Sequence, residues 1–154
     1  GVAIPGTGIS MQNRGAGFSL DPDSPNLVGP NKRPFHTIIP GFVMGPDGPL
    51  MSFGVMGGHM QAQGHVQMMV RVIIHNQNPQ AASDAPRWHL TESGDLALES
   101  GFSDATLASL SARGHTLKLH EPEHLFGGAQ LIARIENGYC GGSDHRKEGL
   151  AAGF

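Results

Sequence analysis

Between residues 48 and 75 the chain changes its hydrophobic rhythm. "PLMSFGVM" is a short apolar run of strand length, glycines follow at 57 and 58, and beyond them Val66, Met69, Val70 and Ile73 recur at helical spacing. Met68, Val72 and Ile74 fall on other faces of the same stretch. The spacing therefore predicts a helix over 60–75 that is apolar around much of its girth and buried as a layer. Before residue 48, punctuation dominates. "IPGTG", "NRGAG", "DPDSPN", "GPNKRP" and "GPDGP" are turn signals, and the apolar runs between them leave 8–13 and 36–44 as candidate strands. Pro40 either divides the second of these or bends it as an edge strand.

Beyond the helix the elements keep alternating. "NQNPQAASDAPRWHL" begins as a loop, and Pro79 opens a short helix that ends before Pro86. "LALES" reads as a strand. "DATLASLSARGH" reads as a helix capped by Ser103 or Asp104 and stopped by Gly114, and "TLKLH" as a further strand. "GAQLIARIENGYCGGSD" predicts a hairpin turning at "ENG", followed by a polar and then small, flexible tail. No internal repeat is present. This order predicts an α+β domain over residues 1–154, with helices packed on a sheet that contains antiparallel pairs.

Composition narrows the partners more than the chemistry. A chain of 154 residues can bury a core without disulfides or a structural metal. Ten basic and thirteen acidic residues give a net charge of −3 without long runs, which offers no electrostatic footprint for nucleic acid or an anionic membrane. Neither a long apolar span nor a signal-peptide pattern is found, so the sequence reads as a soluble protein or part of one. The single cysteine, Cys140, excludes an internal disulfide framework and a multi-thiolate zinc cluster. Its neighbours "NGYCGGSD" suggest a turn and supply no activating base, so it reads as a structural or surface thiol. The 23 glycines and 11 prolines, concentrated before residue 60, look like loops serving a site.

Gly57 and Gly58 stand between a strand and a helix. Such a junction is either a tight corner or a turn whose amides hold an oxyanion, a carboxylate or a phosphate. A phosphate loop of the Walker type is excluded, because no lysine and serine or threonine follow at the required places. Nine histidines invite a metal reading. His59 and His65, however, point to different helix faces, and "HTLKLHEPEH" matches no zinc spacing, so no metal is expected. No G-x-S-x-G elbow is present. Gln12, Asn13 and Arg14 cluster beside glycines, and Lys32, Arg33, His36 and Thr37 surround Pro34. On their own both groups read first as solvated turns, with polar residues gathered at a site as the other reading.

Taken in order, "PGTGISMQNRGAGFSL", "PNLVGPNKRPFHTIIPG", "FGVMGGHMQAQGHVQ", "DAPRWHL" and "GGSDHRKEGLAAGF" resemble the C-terminal part of the small subunit of γ-glutamyltranspeptidase-like enzymes. "QNRG", "RPFHTIIP" and "GVMGGHMQ" look more like the acylase-like branch. The resemblance implies an N-terminal-nucleophile hydrolase built as a four-layer αββα sandwich and needing no cofactor. In that family a threonine exposed by self-cleavage attacks an amide carbonyl, often γ-glutamyl, and water or an amine resolves the acyl-enzyme. It implies Gly57 and Gly58 as oxyanion donors, Asn13 and Arg14 as pocket residues, and His36 and Thr37 as substrate contacts.

Departures from the family pattern are informative. His36 and Thr37 stand where transpeptidases carry two serines that hold the substrate carboxylate. Ala16 and Gly17 replace an acidic pair, one member of which binds the substrate α-amino group. The nucleophilic threonine is expected upstream of Gly1, so the isolated chain is expected to be inactive. The partners implied are the remainder of the same precursor, meaning the large subunit and the N-terminal part of the small one, and a small-molecule amide; a homo-oligomer is compatible with the pattern. A cytoplasmic and a periplasmic location both remain open. The other reading is a catalytically silent structural or binding domain on the same scaffold.

Overall fold

The strand expected at 49–56 forms and lies inside the larger sheet. The computed structural model describes residues 2–153, and the chain divides into two compact units, Gly1–Ile38 and Ile39–Phe154. The larger unit runs β1 (Gly41–Gly45), β2 (Gly48–Met56), α1 (Gln61–Met69), α2 (Pro79–Asp84), β3 (Trp88–Leu90), β4 (Leu96–Leu98), α3 (Asp104–Ala112), β5 (Leu117–Leu119), β6 (Gly128–Ile135) and β7 (Gly138–Ser143). β1, β2, β6 and β7 form an antiparallel four-stranded sheet in that spatial order, and β3, β4 and β5 form a small mixed sheet.

One face of the larger sheet carries the core. Met51, Phe53 and Val55 alternate along β2 beside Ala129 and Leu131 of β6, and Met60, Met68 and Ala82 close over them from the helical side. Each of the methionine, phenylalanine, valine and leucine side chains among these contributes about 1.5–3 kcal/mol when fully withdrawn from water. α2 lies on β7 at backbone distance, since a Cβ on Gly142 would come within 2.7 Å of the Pro79 carbonyl carbon. Asn78 starts α2 by accepting from the Ala81 amide at 2.8 Å, and Ser103 caps α3 through the Thr106 amide at 3.2 Å. Gly114, at φ +93°, ends α3 as expected, and the hairpin of β6 and β7 turns at Glu136–Asn137. Cys140 therefore sits inside β7 instead of in a turn.

Three expectations change. Residues 8–13 do not form a strand: Gly6 and Gly8 take positive φ and fold the segment back, so that only Ser10 bridges to Ala3. Residues 36–40 likewise remain outside the sheet, and the second candidate strand shortens to β1. The helix occupies its expected span as a 3₁₀ turn (Gly58–Met60), α1 and a π-helical turn (Val70–Ile74). Its buried face, however, is Met60, Gly64, Gln67 and Met68, whereas Val66, Val70, Ile73 and Ile74 are exposed. Among the described residues, no helix is long and apolar enough to cross a membrane.

Candidate functional site

In the smaller unit, Asn13 leads into a 3₁₀ turn (Arg14–Gly17), its carbonyl accepting from the Ala16 amide at 3.0 Å. This turn aims Arg14 at the segment around Thr37, and the guanidinium donates to Thr37 Oγ1 at 2.8 Å. The two segments are held by Asn26, which sequence reasoning did not single out. Its side-chain nitrogen donates to the Gly17 carbonyl, and its side-chain oxygen accepts from the Phe35 amide at 2.9 Å. Close approach is also built into Gly17, where a Cβ would stand 2.8 Å from the Phe35 oxygen. Asn13 and His36 are exposed, Arg14 and Thr37 half-buried. Among the described residues no carboxylate pairs with Arg14. Lys32 is drawn back onto its own loop, donating to the carbonyls of Pro25 and Leu27 at 2.6 and 3.0 Å, so it is not displayed as a free cation.

In the larger unit, Gly57 and Gly58 join β2 to the helical stretch at φ +153° and +61°, conformations that side chains other than glycine's rarely take. Gly57 packs against another glycine: a Cβ there would meet the Gly127 Cα at 3.1 Å, and one on Gly127 would overlap the Met56 oxygen at 2.1 Å. The Gly57 carbonyl accepts from the Met60 amide at 3.2 Å, closing the turn. The Gly57 and Gly58 amides serve as donors in none of the described turn, loop or cap bonds. They sit at the positive end of the helical stretch, the arrangement that an anion or developing oxyanion requires.

The helix beyond the turn is fixed on two sides. Towards β2, Gly64 lies so close that a Cβ would be 2.8 Å from Val55 Cγ1, and His65 meets Phe53 edge-on with ring centroids 5.1 Å apart. Burial holds the His65 pKa below its ordinary value, and its Nε2 is buried without a partner. His65 is thus a packing residue, and His59 lies in the 3₁₀ turn; among the described residues no three metal-ligating side chains converge. On the other side, Gln67 donates to the Trp88 carbonyl at 2.8 Å and accepts from its amide at 3.1 Å. One helical turn earlier, Gln63 does the same with Leu90, at 3.2 and 2.7 Å. Two side-chain amides at i and i+4 thus satisfy alternate residues of an edge strand, as a neighbouring strand would.

Beneath this, Arg87 is wholly buried against Asp144 and donates to the carbonyls of Ser83 at 2.9 Å and Phe126 at 3.1 Å. Arg146 grips Glu99 with two bonds of 2.6 Å and reaches Asp144 at 3.1 Å. Burial pushes the Asp144 carboxyl up, but donors from the Ala129 amide, Arg87 and the Arg146 amide outweigh it and hold the group below the usual carboxylate range. Burial lowers the Arg87 pKa, whereas at Arg146 the bonds it donates to Glu99, with the charges of Glu99 and Asp144, outweigh burial and raise it. The segments "DAPRWHL" and "GGSDHRKEGLAAGF" contain Arg87, Asp144 and Arg146, and "LALES" contains Glu99, but residues so far apart in sequence carry no spacing signal that would pair them.

Two clefts open in the larger unit. One, of about 460 Å³, is bordered by Asp84, Glu121, Glu123, His120 and His145; the other, of about 960 Å³, runs over the sheet face opposite the helices, between Ser52, Ile132, Tyr139 and Ala151.

Compared with known proteins, the sequence matches the gamma-glutamyltranspeptidase family over residues 1–154. It is 39% identical across its whole length to the oxamate amidohydrolase proenzyme of Klebsiella pneumoniae. It is 36% identical, over 96% of its length, to the glutathione hydrolase-like YwrD proenzyme of Bacillus subtilis. In both cases the chain spans 30% of the relative's length. The fold superposes on the cephalosporin acylase of Bacillus halodurans with a TM-score of 0.92 at 47% identity, covering 98% of this chain and 28% of that one.

Proposed function

The chain belongs to the γ-glutamyltranspeptidase family, and from that premise we propose that it is the C-terminal part of the small catalytic subunit of an acylase-like amide hydrolase or acyltransferase. The observation that carries this reading is the Gly57–Gly58 turn, with left-handed backbone, its amides unused by turn, loop or cap bonds, at the head of a helix. The nucleophile is a threonine outside this chain. Its hydroxyl oxygen attacks the substrate carbonyl, and the Gly57 and Gly58 amides stabilise the oxyanion that forms. The C–N bond then breaks, the departing nitrogen takes up the proton lost by the threonine, and the resulting ester is opened by water or an amine.

Arg14 and Thr37, which are bonded to each other, and the exposed Asn13 and His36 are the residues proposed to contact the acyl group. Among the described residues Arg14 pairs with no carboxylate, and Ala16 and Gly17 offer no acid for a substrate α-amino group. The preferred acyl group therefore carries a carboxylate without a γ-glutamyl amine. The relative named for oxamate, an amide that bears a carboxylate, agrees in direction. The reading also expects a four-layer αββα sandwich. In support, the sheet face opposite the helices leaves Phe42, Met44, Ile132 and Tyr139 exposed, the surface that a second sheet would cover.

The test uses the full-length gene product: intact mass before and after maturation, and turnover of a glutaryl amide and oxamate against a γ-glutamyl anilide. Self-cleavage before a threonine with preference for the acidic amides is expected, and the 154-residue chain alone should turn over none of them. A clear preference for the γ-glutamyl substrate would refute the assignment of Arg14, and saturable turnover by the isolated chain would refute the missing nucleophile. Loss of the acidic pair at Ala16 and Gly17 also favours the silent scaffold, which full-length protein that neither cleaves itself nor hydrolyses any of the substrates would establish.

A further inference from the structure

Gly128 opens β6 without a positive φ, so its backbone conformation does not call for glycine. What excludes a side chain there is a lysine. The three atoms nearest to a Cβ built on Gly128 are Cε, Cγ and Cδ of Lys147, at 2.6, 2.7 and 3.2 Å. The Lys147 stem is thus laid across a buried backbone position, and it is anchored at its root, where the Lys147 amide donates to the Asp144 carbonyl at 3.0 Å. The ammonium, one bond beyond Cε, enters no ion pair or hydrogen bond among the described residues. Ordering that stem costs side-chain entropy, and no charge within the described fold offsets it.

The place of this cation ties it to the glycine turn. Gly128 is the cross-strand partner of Met56, the residue directly before Gly57, and its neighbour Gly127 packs on Gly57. The ammonium therefore stands at the end of the sheet where β2 passes into the turn. Along β6, Gly128 shares its face with Gln130 and Ile132, away from the core residues Ala129 and Leu131, so the charge lies on the side opposite the helices.

We propose that Lys147 is a substrate-binding residue that selects amides with a carboxylate directly on the scissile carbonyl, the oxamic-acid class. The inference rests on the reading of Gly57 and Gly58 as the oxyanion turn. With the scissile carbonyl held at that turn, a carboxylate on the same carbon lies beside it, within range of a cation on the adjoining strand end. Attack on such a carbonyl also develops an oxyanion next to a charge of the same sign. A compact ammonium between the two lowers their repulsion. A glutaryl carboxylate is carried away from the turn by its methylenes and depends on the Arg14 group instead.

The test uses the full-length, mature protein and two readouts. In steady-state kinetics, Lys147→Met should raise KM for oxamate about tenfold, while oxamide, its neutral isostere, and a glutaryl amide keep their values. Gly128→Ala retains the charge but displaces the stem, so it should shift oxamate in the same direction, and Lys147→Arg should restore most of the affinity. The second readout is calorimetric binding of oxalate, which carries no amide to be hydrolysed. It should weaken about tenfold in Lys147→Met and stay unchanged in Lys118→Met, which removes a lysine on β5. Equal losses for oxamate and oxamide, an unchanged KM for oxamate, or oxalate binding that ignores Lys147 would each overturn the proposal. Lys147-dependent oxalate binding without turnover of any amide leaves this inference standing and removes the enzymatic reading, and turnover indifferent to Lys147 removes this inference alone.

Discussion

Gly57 and Gly58 are neighbours, yet a side chain would meet different obstacles at each. At Gly58, with φ +61° and open space around a built Cβ, alanine faces only left-handed strain of about 1–2 kcal/mol. At Gly57, alanine meets both an unsuitable φ of +153° and the Gly127 Cα at 3.1 Å. Thermal unfolding of the full-length protein should therefore show a small loss for Gly58→Ala and a larger one for Gly57→Ala; equal losses would mean that the Gly127 contact is easily relieved. Residues of this kind were legible in the sequence, because only glycine tolerates the geometry and a pair between a strand and a helix announces it. Asn26 was not. It works through two bonds to backbone groups nine residues away on either side, and nothing in an asparagine within "DSPNLV" distinguishes that task from an ordinary turn.

At the scale of elements, glutamine amides close strand edges. Gln63 and Gln67 satisfy Leu90 and Trp88 along β3, and Gln80 of α2 satisfies Ser143 of β7 by donating at 2.9 Å and accepting at 3.0 Å. Gln67 is the most buried of the three, so Gln67→Leu should strand a carbonyl and an amide of Trp88 and cost about 2–4 kcal/mol. Gln80→Leu, at an exposed pair, should cost less, and urea midpoints of the full-length variants provide the comparison. These pairings explain what the hydrophobic pattern could and could not tell. β2, α2, α3 and the β6–β7 hairpin follow their sequence signals because each carries its own period, cap or turn. β3 leaves no signal in the pattern, because a three-residue strand held partly by side-chain amides has no alternation to detect. The 8–13 run reads as a strand because apolar residues between turns look alike whether or not a partner strand exists.

Across the larger unit as a whole, stability is tied to pH through two groups of opposite ordinary charge. Asp144 has its pKa held low in the fold, so its contribution is present above the unfolded value of about 3.9 and is lost as pH falls through the folded value. His65 is also lowered, by burial of its ring, so its neutral form is favoured in the fold and stability begins to fall below an unfolded value of about 6.5. Denaturation of the full-length protein from pH 7 downward should thus show two stages. His65→Leu should flatten the first, and Asp144→Asn should remove the second while costing about 3–5 kcal/mol at neutral pH, since Arg87 keeps its buried charge without a carboxylate. An unchanged acid limb in Asp144→Asn would show that other carboxylates govern it.

The pairing of Arg87 with Asp144 also sets an order of events. The two residues are 57 positions apart, and Asp144 follows the last strand of the sheet. As the chain leaves the ribosome, α2, β3 and β4 emerge with a guanidinium that must enter the interior before its counter-charge has been synthesised. Vectorial folding of this region therefore waits for the segment that carries Asp144, and a premature stop ahead of it would release a chain in which Arg87 has no buried carboxylate to meet.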